Sequence, residues 1–453
     1  MENLSTTQNY SIRSFSSDQI ITFIDLFAGM GGMRIGFENA VRELGLLSEC
    51  VFSSEIKTHA KTVYQSNFGN DPIHGDITQI DEKSIPDFDF LLAGFPCQAF
   101  SNAGKRLGFE DTRGTLFFDV ARILKEKMPK GFLLENVEGL VTHNNGKTLQ
   151  TILNVLDDLG YTVSHGVLDG QDFGLAQSRK RIYICGSLHG SPVDFNSFDK
   201  TTSVLADVIE QTVPPVDTAF TQRLFEHFSL EEVIGKQIKD KRGGDSNIHS
   251  WSFSLKGHVS DEQKQLLDVL LRQRRNKKWA DIIGIDWMDG MPLTVPMIRE
   301  FHDVPNLQAM LDDLVEKKYL AYEHPKAKVD GKRVYDTSLE RGYNIVTGKL
   351  SFEFNKILDP QGITPTIVAT DASKLAVPVR HGIRPLTTRE GMRLFGFPET
   401  FDMSAVPTTK AFDLLGNTVC VNAICQISQS LIQSATQNKG ATDHGTHILR
   451  RTV

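Results

Sequence analysis

The chain has 453 residues, 40% hydrophobic and 23% charged, with a formal net charge of −7. These proportions exclude wholesale disorder, and the length allows about two to four domains of ordinary size. No apolar run nears the roughly 18 residues that span a bilayer, and the polar opening MENLSTTQNYSIRSFSSDQ lacks a signal-peptide core, so a protein of the cytoplasm is expected.

In chain order, residues 1–19 read as a flexible segment and 20–189 as a catalytic domain. ITFIDLFAG (21–29), CVFSSE (50–55), FDFLLAGF (88–95), GFLLENV (131–137), YTVSHGVLD (161–169) and RIYICGS (181–187) predict strands. Helical patterns lie between several of them. Over 31–46, Met33, Phe37, Ala40, Val41 and Leu44 fall on one helix face. Such alternation predicts an α/β fold, Rossmann-like, with a largely parallel sheet covered on both sides. From 190 to 365 the alternation stops, which marks an insert. Residues 366–435 turn helical again and are expected to return to the first domain, and 436–453 form a polar tail.

The chemistry clusters at the predicted strand ends. FAGMGG (27–32) joins the first strand to the first helix, where Gly29 and Gly31 permit a tight turn beside a helix N-terminus. A dinucleotide fingerprint needs a third glycine where this chain has Arg34, so a nucleoside cofactor without pyrophosphate fits better. Glu55 and Asp76 follow later strand ends, and one can hold ribose hydroxyls while the other meets an adenine amino group. Read alone, the same residues also suit a tight turn and two solvated acids. Cys97 follows a strand and a proline, Glu135 ends the next strand, and Arg179 and Arg181 open a later one. Nucleophile, proton donor and anion clamp then share one sheet edge. The five cysteines form no CxxC pair, which suits reduced thiols, and no metal site is expected.

The ordered set FxGxGG, PCQ, ENV and QxRxR, then RPLTTREGMRLFGFP and LGNTVCVNAI, resembles the motif series of the DNA (cytosine-5) methyltransferases of bacterial restriction-modification systems. The resemblance covers about 20–187 and 362–430. It implies an S-adenosylmethionine-dependent methyltransferase fold with a smaller target-recognition domain inserted. It places Phe27, Gly29, Gly31, Glu55, Ile56, Asp76, Pro96 and Asn417 around S-adenosylmethionine. It makes Cys97 the nucleophile, sets Glu135 on the cytosine ring and has Arg179 and Arg181 position base and loop. Gln98 and Thr366 would contact DNA. Three positions depart from the family pattern: Ile56 replaces an aromatic residue, Asp169-Gly170 replaces Asn-Ala, and Ala176 replaces proline. The activity implied is methyl transfer to C5 of a flipped cytosine in a specific duplex sequence through a covalent Cys97–C6 intermediate. A monomer paired with a cognate restriction endonuclease is expected. An RNA-directed enzyme of the same family and an inactive DNA-binding relative remain the alternatives.

The insert is where DNA reading is expected. Residues 236–280 hold eleven lysines and arginines against five acids, in a chain that is acidic overall. Arg272, Arg274, Arg275, Lys277 and Lys278, with Trp279 beneath, are the candidate phosphate contacts. Over 291–338, a short helix, a second helix carrying Leu307, Met310, Leu311 and Leu314, and two strands flanking Asp330-Gly331 suggest a winged helix with Lys332 and Arg333 on its wing.

Overall fold

The computed structural model describes residues 20–69, 71–96, 116–244, 246–329, 332–347, 352–368 and 372–436. The described chain divides into two compact units, 1–208 with 365–369 and 388–453, and 209–364 with 370–387. The segments expected to be a flexible N-terminus and a polar tail, with Cys97 and Gln98, lie outside the described residues.

The first unit is built on β1 (Ile20–Leu26), β2 (Leu47–Ser54), β3 (Ile73–His74), β4 (Phe90–Gly94), β5 (Gly131–Val137), β6 (Thr162–Asp169) and β7 (Lys180–Ser187). They form one sheet in the order β3-β2-β1-β4-β5-β7-β6. Helices α1 (Gly32–Glu43), α2 (Thr58–Phe68), α3 (Leu116–Lys127) and α4 (Lys147–Asp158) connect them. Period-two side-chain direction sends alternate strand residues into two cores. Phe23, Leu92 and Leu133 pack with Phe37 of α1, whereas Ile24, Leu91 and Leu134 pack with Leu124 of α3 and Ile152 of α4. The α/β class is the one the alternation predicts. What alternation does not predict is direction at one edge: β7 runs antiparallel to both β5 and β6. Only a single 3-10 turn, Gly170–Asp172, separates β6 from β7, and without a crossover helix the chain must fold back.

The second unit carries α5 (Ala219–Phe225), α6 (Leu230–Val233), β8 (Gln237–Ile238), β9 (Asn247–Ile248), α7 (Asp261–Gln273), α8 (Lys277–Ile283), α9 (Val295–Arg299) and α10 (Leu307–Glu316). β10 (Leu320–Glu323), β11 (Lys326–Val329), β12 (Lys332–Tyr335), β13 (Gly342–Ile345), β14 (Lys356–Ile357), β15 (Leu375–Val379) and β16 (Gly382–Pro385) follow. One core gathers α7, α8 and α10 around Trp251, Trp279 and Tyr319; another lies under the sheet β16-β15-β14-β8-β9. That sheet moves a boundary expected at 365/366. Because β15 pairs with β14, residues 370–387 cluster with the insert, while 190–208 stay with the first unit.

The chain then re-enters the first unit as α11 (Thr388–Arg393), α12 (Thr408–Asn417) and α13 (Val421–Thr436). Helix α13 lies on α1. Its Ile424 approaches Gly36 so closely that a Cβ at Gly36 would sit 2.6 Å from Ile424 Cβ, so only glycine allows this crossing.

Candidate active site

In a parallel sheet every strand presents its carboxyl end at the same edge, and here the strand order reverses between β1 and β4. The loop after β1 turns through three left-handed residues, Phe27 (φ 55°), Gly29 (φ 57°) and Gly31 (φ 92°). At Gly31 a Cβ would lie 2.2 Å from the Phe68 ring, so glycine is required twice over. Glu55, just past β2, locks this loop: one oxygen accepts from Gly29 N at 2.9 Å, the other from Ile56 N at 2.8 Å and Lys57 N at 2.7 Å. Beside it Ile56 is 70% exposed, a bare aliphatic face. Asp76 caps a short turn through Thr78 N and is exposed. Asn417 ends α12 with its amide on Asp413 O, also exposed.

Asp25, near the end of β1, went unnoticed in the sequence because it reads as one polar position in an apolar strand. It is buried, and neither carboxylate oxygen has a hydrogen-bond partner among the described residues. Burial pushes its pKa up to about 8, against the pull of Arg34. The folded value lies above the ordinary 3.8, so the native state holds a proton that the unfolded chain releases. Its contribution to stability is therefore full below about pH 4. It is lost as pH rises to about 8, with a slope near 1.4 kcal/mol per unit. Asp25→Asn should remove this slope and make the variant the more stable protein above pH 8. Urea unfolding of both proteins at pH 5 and pH 8 checks it; a stability difference that is the same at both pH values would refute it.

At β4 and β5, Gly94 pairs with Glu135, and Glu135 is the diagonal cross-strand neighbour of Arg181 on β7. Glu135 Oε1 lies 3.0 Å from Arg181 Nε. Burial raises the Glu135 carboxyl above the usual range, and Arg181 and then Arg179 pull it back. The adjacent Asn136 donates to Phe95 O at 2.9 Å and accepts from Val137 N at 2.8 Å, tying the segment before Cys97 to β5. Pro96, next in the chain, is exposed.

Arg179 and Arg181, expected as equals, do different things. Arg179 is 2% exposed, and its guanidinium donates to the carbonyls of Ile367, Gly416 and Thr418 while lying 5.0 Å from the Phe395 ring. It is a positioning residue that ties β7 to the LGN segment and to 365–369, and of the two only Arg181 meets Glu135. Burial, then the nearby Arg181, bring its pKa down to about 10, so it remains a cation at neutral pH. Two residues that the motifs contain, but to which the sequence assigned no role, complete the brace. Gln177 is fully buried between Leu394 O and Ile367 N, and Asp169 accepts from Arg179 N at 2.7 Å and Ser178 Oγ at 3.0 Å. Thr366 donates to Ser178 O at 2.7 Å and is otherwise exposed. The departure at Asp169-Gly170 thus supplies a carboxylate where the family has an amide.

The model of the C-5 cytosine-specific DNA methylases matches residues 21–433. The chain belongs to this family. It is 55% identical to the Type II methyltransferase M.NlaIV of Neisseria lactamica over 92% of this chain and all of that one. It is 40% identical to M.BanI of Aneurinibacillus aneurinilyticus over 91% and 96%. The solved S. pombe Dnmt2 methyltransferase shares the fold, with a TM-score of 0.51 at 17% identity over 91% of this chain and 99% of that one. The chain is a cytosine-5 DNA methyltransferase, which sets aside the RNA-directed and inactive alternatives.

Among this methylase's described residues no group of three or more His, Cys, Asp or Glu could hold a metal ion, and no helix is long and apolar enough to cross a membrane. In the second unit the basic run divides. Arg272 and Lys277 are exposed, Lys278 pairs with Glu300 above the buried Trp279, and Arg275 pairs with Asp289 at 2.6 Å. Arg274 must be corrected. It is 2% exposed, with its guanidinium on Asn344 Oδ1, Ile345 O and Lys241 O, so it holds its own unit together and is not placed to meet a phosphate. A count of charge along the sequence cannot tell which cation of a run turns inward.

Proposed function

We propose that this methylase recognises a specific duplex sequence, extrudes one cytosine and methylates its C5 using S-adenosylmethionine, with Cys97 as nucleophile and Glu135 as proton donor. The observation that carries the proposal is the buried Glu135–Arg181 pair, which sits across from Gly94, three residues before Cys97. The glycine loop fits a nucleoside cofactor: Gly31 leaves no room for a side chain, Glu55 can receive ribose hydroxyls on its remaining lone pairs, and Ile56 offers an exposed aliphatic face. Phe27, Gly29, Asp76, Pro96 and Asn417 are the other residues assigned to it. When bound there, S-adenosylmethionine supplies a methyl group on an electrophilic sulfonium.

The chain's own task is to make C5 nucleophilic. C6 is out of reach inside stacked DNA, so the cytosine must leave the helix at a cost of roughly a few kcal/mol. Cys97 Sγ adds to C6, and the charge that develops on the ring is met by the Glu135 proton at N3. Burial favours the protonated carboxyl against the pull of Arg181 and Arg179, and Arg181 fixes the carboxyl's orientation. Loss of the C5 proton to a base, return of the N3 proton to Glu135 and elimination of the thiolate restore the aromatic ring and free the enzyme. Gln98 and Thr366 are assigned to the DNA, the inserted unit to sequence reading. The whole-length likeness to bacterial Type II methyltransferases supports a role in protecting DNA from a cognate restriction endonuclease; a monomer working in the bacterial cytoplasm is proposed with it.

Methylation sequencing of plasmid DNA from expressing cells tests the proposal; unmodified cytosines at every site would refute it. Glu135→Gln should slow single-turnover methylation by about 10²–10⁴-fold. The wild-type rate should fall as pH climbs past the raised Glu135 pKa, because the protonated form is the active one. Arg181→Ala removes a charge that favours ionisation, so this falling limb should move to higher pH. A limb that stays in place or moves down would exclude Glu135 as the donor.

A further inference from the structure

The insert was expected to resemble a winged helix, an arrangement in which the second helix enters the DNA groove. Helices α9 and α10, strand β10, the hairpin β11–β12 and β13 follow one another, and Leu293 bridges to Tyr343 of β13. The charges are distributed against groove entry by α10. Its Asp312 accepts from Gln308 and Tyr343, and Asp312 and Glu316 line a cleft that also holds Glu340, three acids against the one cation Arg341. Phosphates would be repelled there.

The hairpin has the opposite character. In its register Lys326 faces Tyr335 and Lys328 faces Arg333, so these four side chains share one face, while Ala327, Lys332 and Val334 share the other. Lys332 and Arg333, paired by sequence proximity, therefore point to opposite sides. Lys326 Nζ stands 4.6 Å from the centre of the Tyr335 ring, and the Tyr335 hydroxyl donates to Glu323. Lys326 and Arg333 overlook a cleft of about 410 Å³ that reaches Arg274 and Asp289. The acids beneath are already engaged: Asp289 by Arg275, Arg242 and Lys241, and Glu323 by Asn344 and Tyr335. What faces outward is cationic and aromatic, on a two-stranded ribbon of the width a major groove admits.

We propose that duplex DNA is engaged by the Lys326–Lys328–Arg333–Tyr335 face of this hairpin and not by α10. The proposal rests on the reading that the enzyme methylates a specific duplex. It is tested with the full-length protein and a fluorescent duplex containing its methylation site, titrated from 50 to 300 mM salt. Lys328→Ala with Arg333→Ala removes two exposed cations. Affinity should fall about tenfold or more near 150 mM salt, and the slope of log affinity against log salt should flatten by about 2. Glu316→Gln on α10 should bind within about twofold of wild type. If the double variant binds like wild type with the same slope, or Glu316→Gln weakens binding tenfold, the hairpin assignment is wrong. Methylation of the same duplex by wild type separates the two levels. With methylation present, only the hairpin assignment falls; with none, the proposed function falls and takes the hairpin with it. Unchanged thermal midpoints of the variants tie any loss to the interface.

Discussion

Cys97→Ala should abolish methylation, by at least about 10⁴-fold, while leaving cofactor binding, DNA binding and the thermal midpoint near wild type. The reaction needs a thiolate, and the four other cysteines are poorly suited to provide one. Burial pushes Cys50, Cys420 and Cys425 up to about 12 and Cys185 higher still, so each stays a thiol at neutral pH. Cys420 is also enclosed: a Cβ on Gly170 would come within 2.7 Å of its sulfur. Cys97 instead follows the exposed Pro96, beyond a strand end that Asn136 holds against β5. A duplex carrying 5-fluorocytosine at the target should trap wild type as a covalent adduct, because fluorine cannot leave as the proton does. The alanine variant should form none. Methylation by Cys97→Ala above about one per cent of the wild-type rate would remove Cys97 from the mechanism.

Arg179→Ala should be strongly destabilising, costing about 3 kcal/mol or more in urea unfolding. One guanidinium joins carbonyls at Ile367, Gly416 and Thr418, three backbone sites far from it in sequence, and packs on Phe395. Truncation leaves those acceptors in a closed space and opens a cavity as well. Arg179→Lys should rescue little, since a single ammonium cannot span the three carbonyls. Arg181→Ala, two residues on, should cost less than Arg179→Ala, because Glu135 can take up a proton when its partner is lost, and show itself in the pH profile. A loss below 1 kcal/mol for Arg179→Ala, or equal losses at both positions, would show that Arg179 is not a clamp.

Much of this molecule is legible along the chain. The strand from Gly131 to Val137 coincides with its apolar run, and the helix starting at Gly32 follows the stripe through Met33 and Phe37, because periodicity is local and a buried face imposes it. Glu55, Glu135 and Cys97 could be assigned to one edge because parallel strands all end on the same side. Their motifs pointed to the family, and the whole-length relatives agree.

The sequence by itself determined the fold class, the order of the motifs and the residues eligible for chemistry, since each depends on neighbours a few positions away. Tertiary structure alone decided what those residues do. It turned β7 around, separated Arg179 from Arg181, buried Arg274 within a basic run and left Asp25 without a hydrogen-bond partner among the described residues. For the side chains among these the physical reason is the same. A side chain's charge state and direction are set by partners brought in from distant parts of the chain, and by the water those partners exclude.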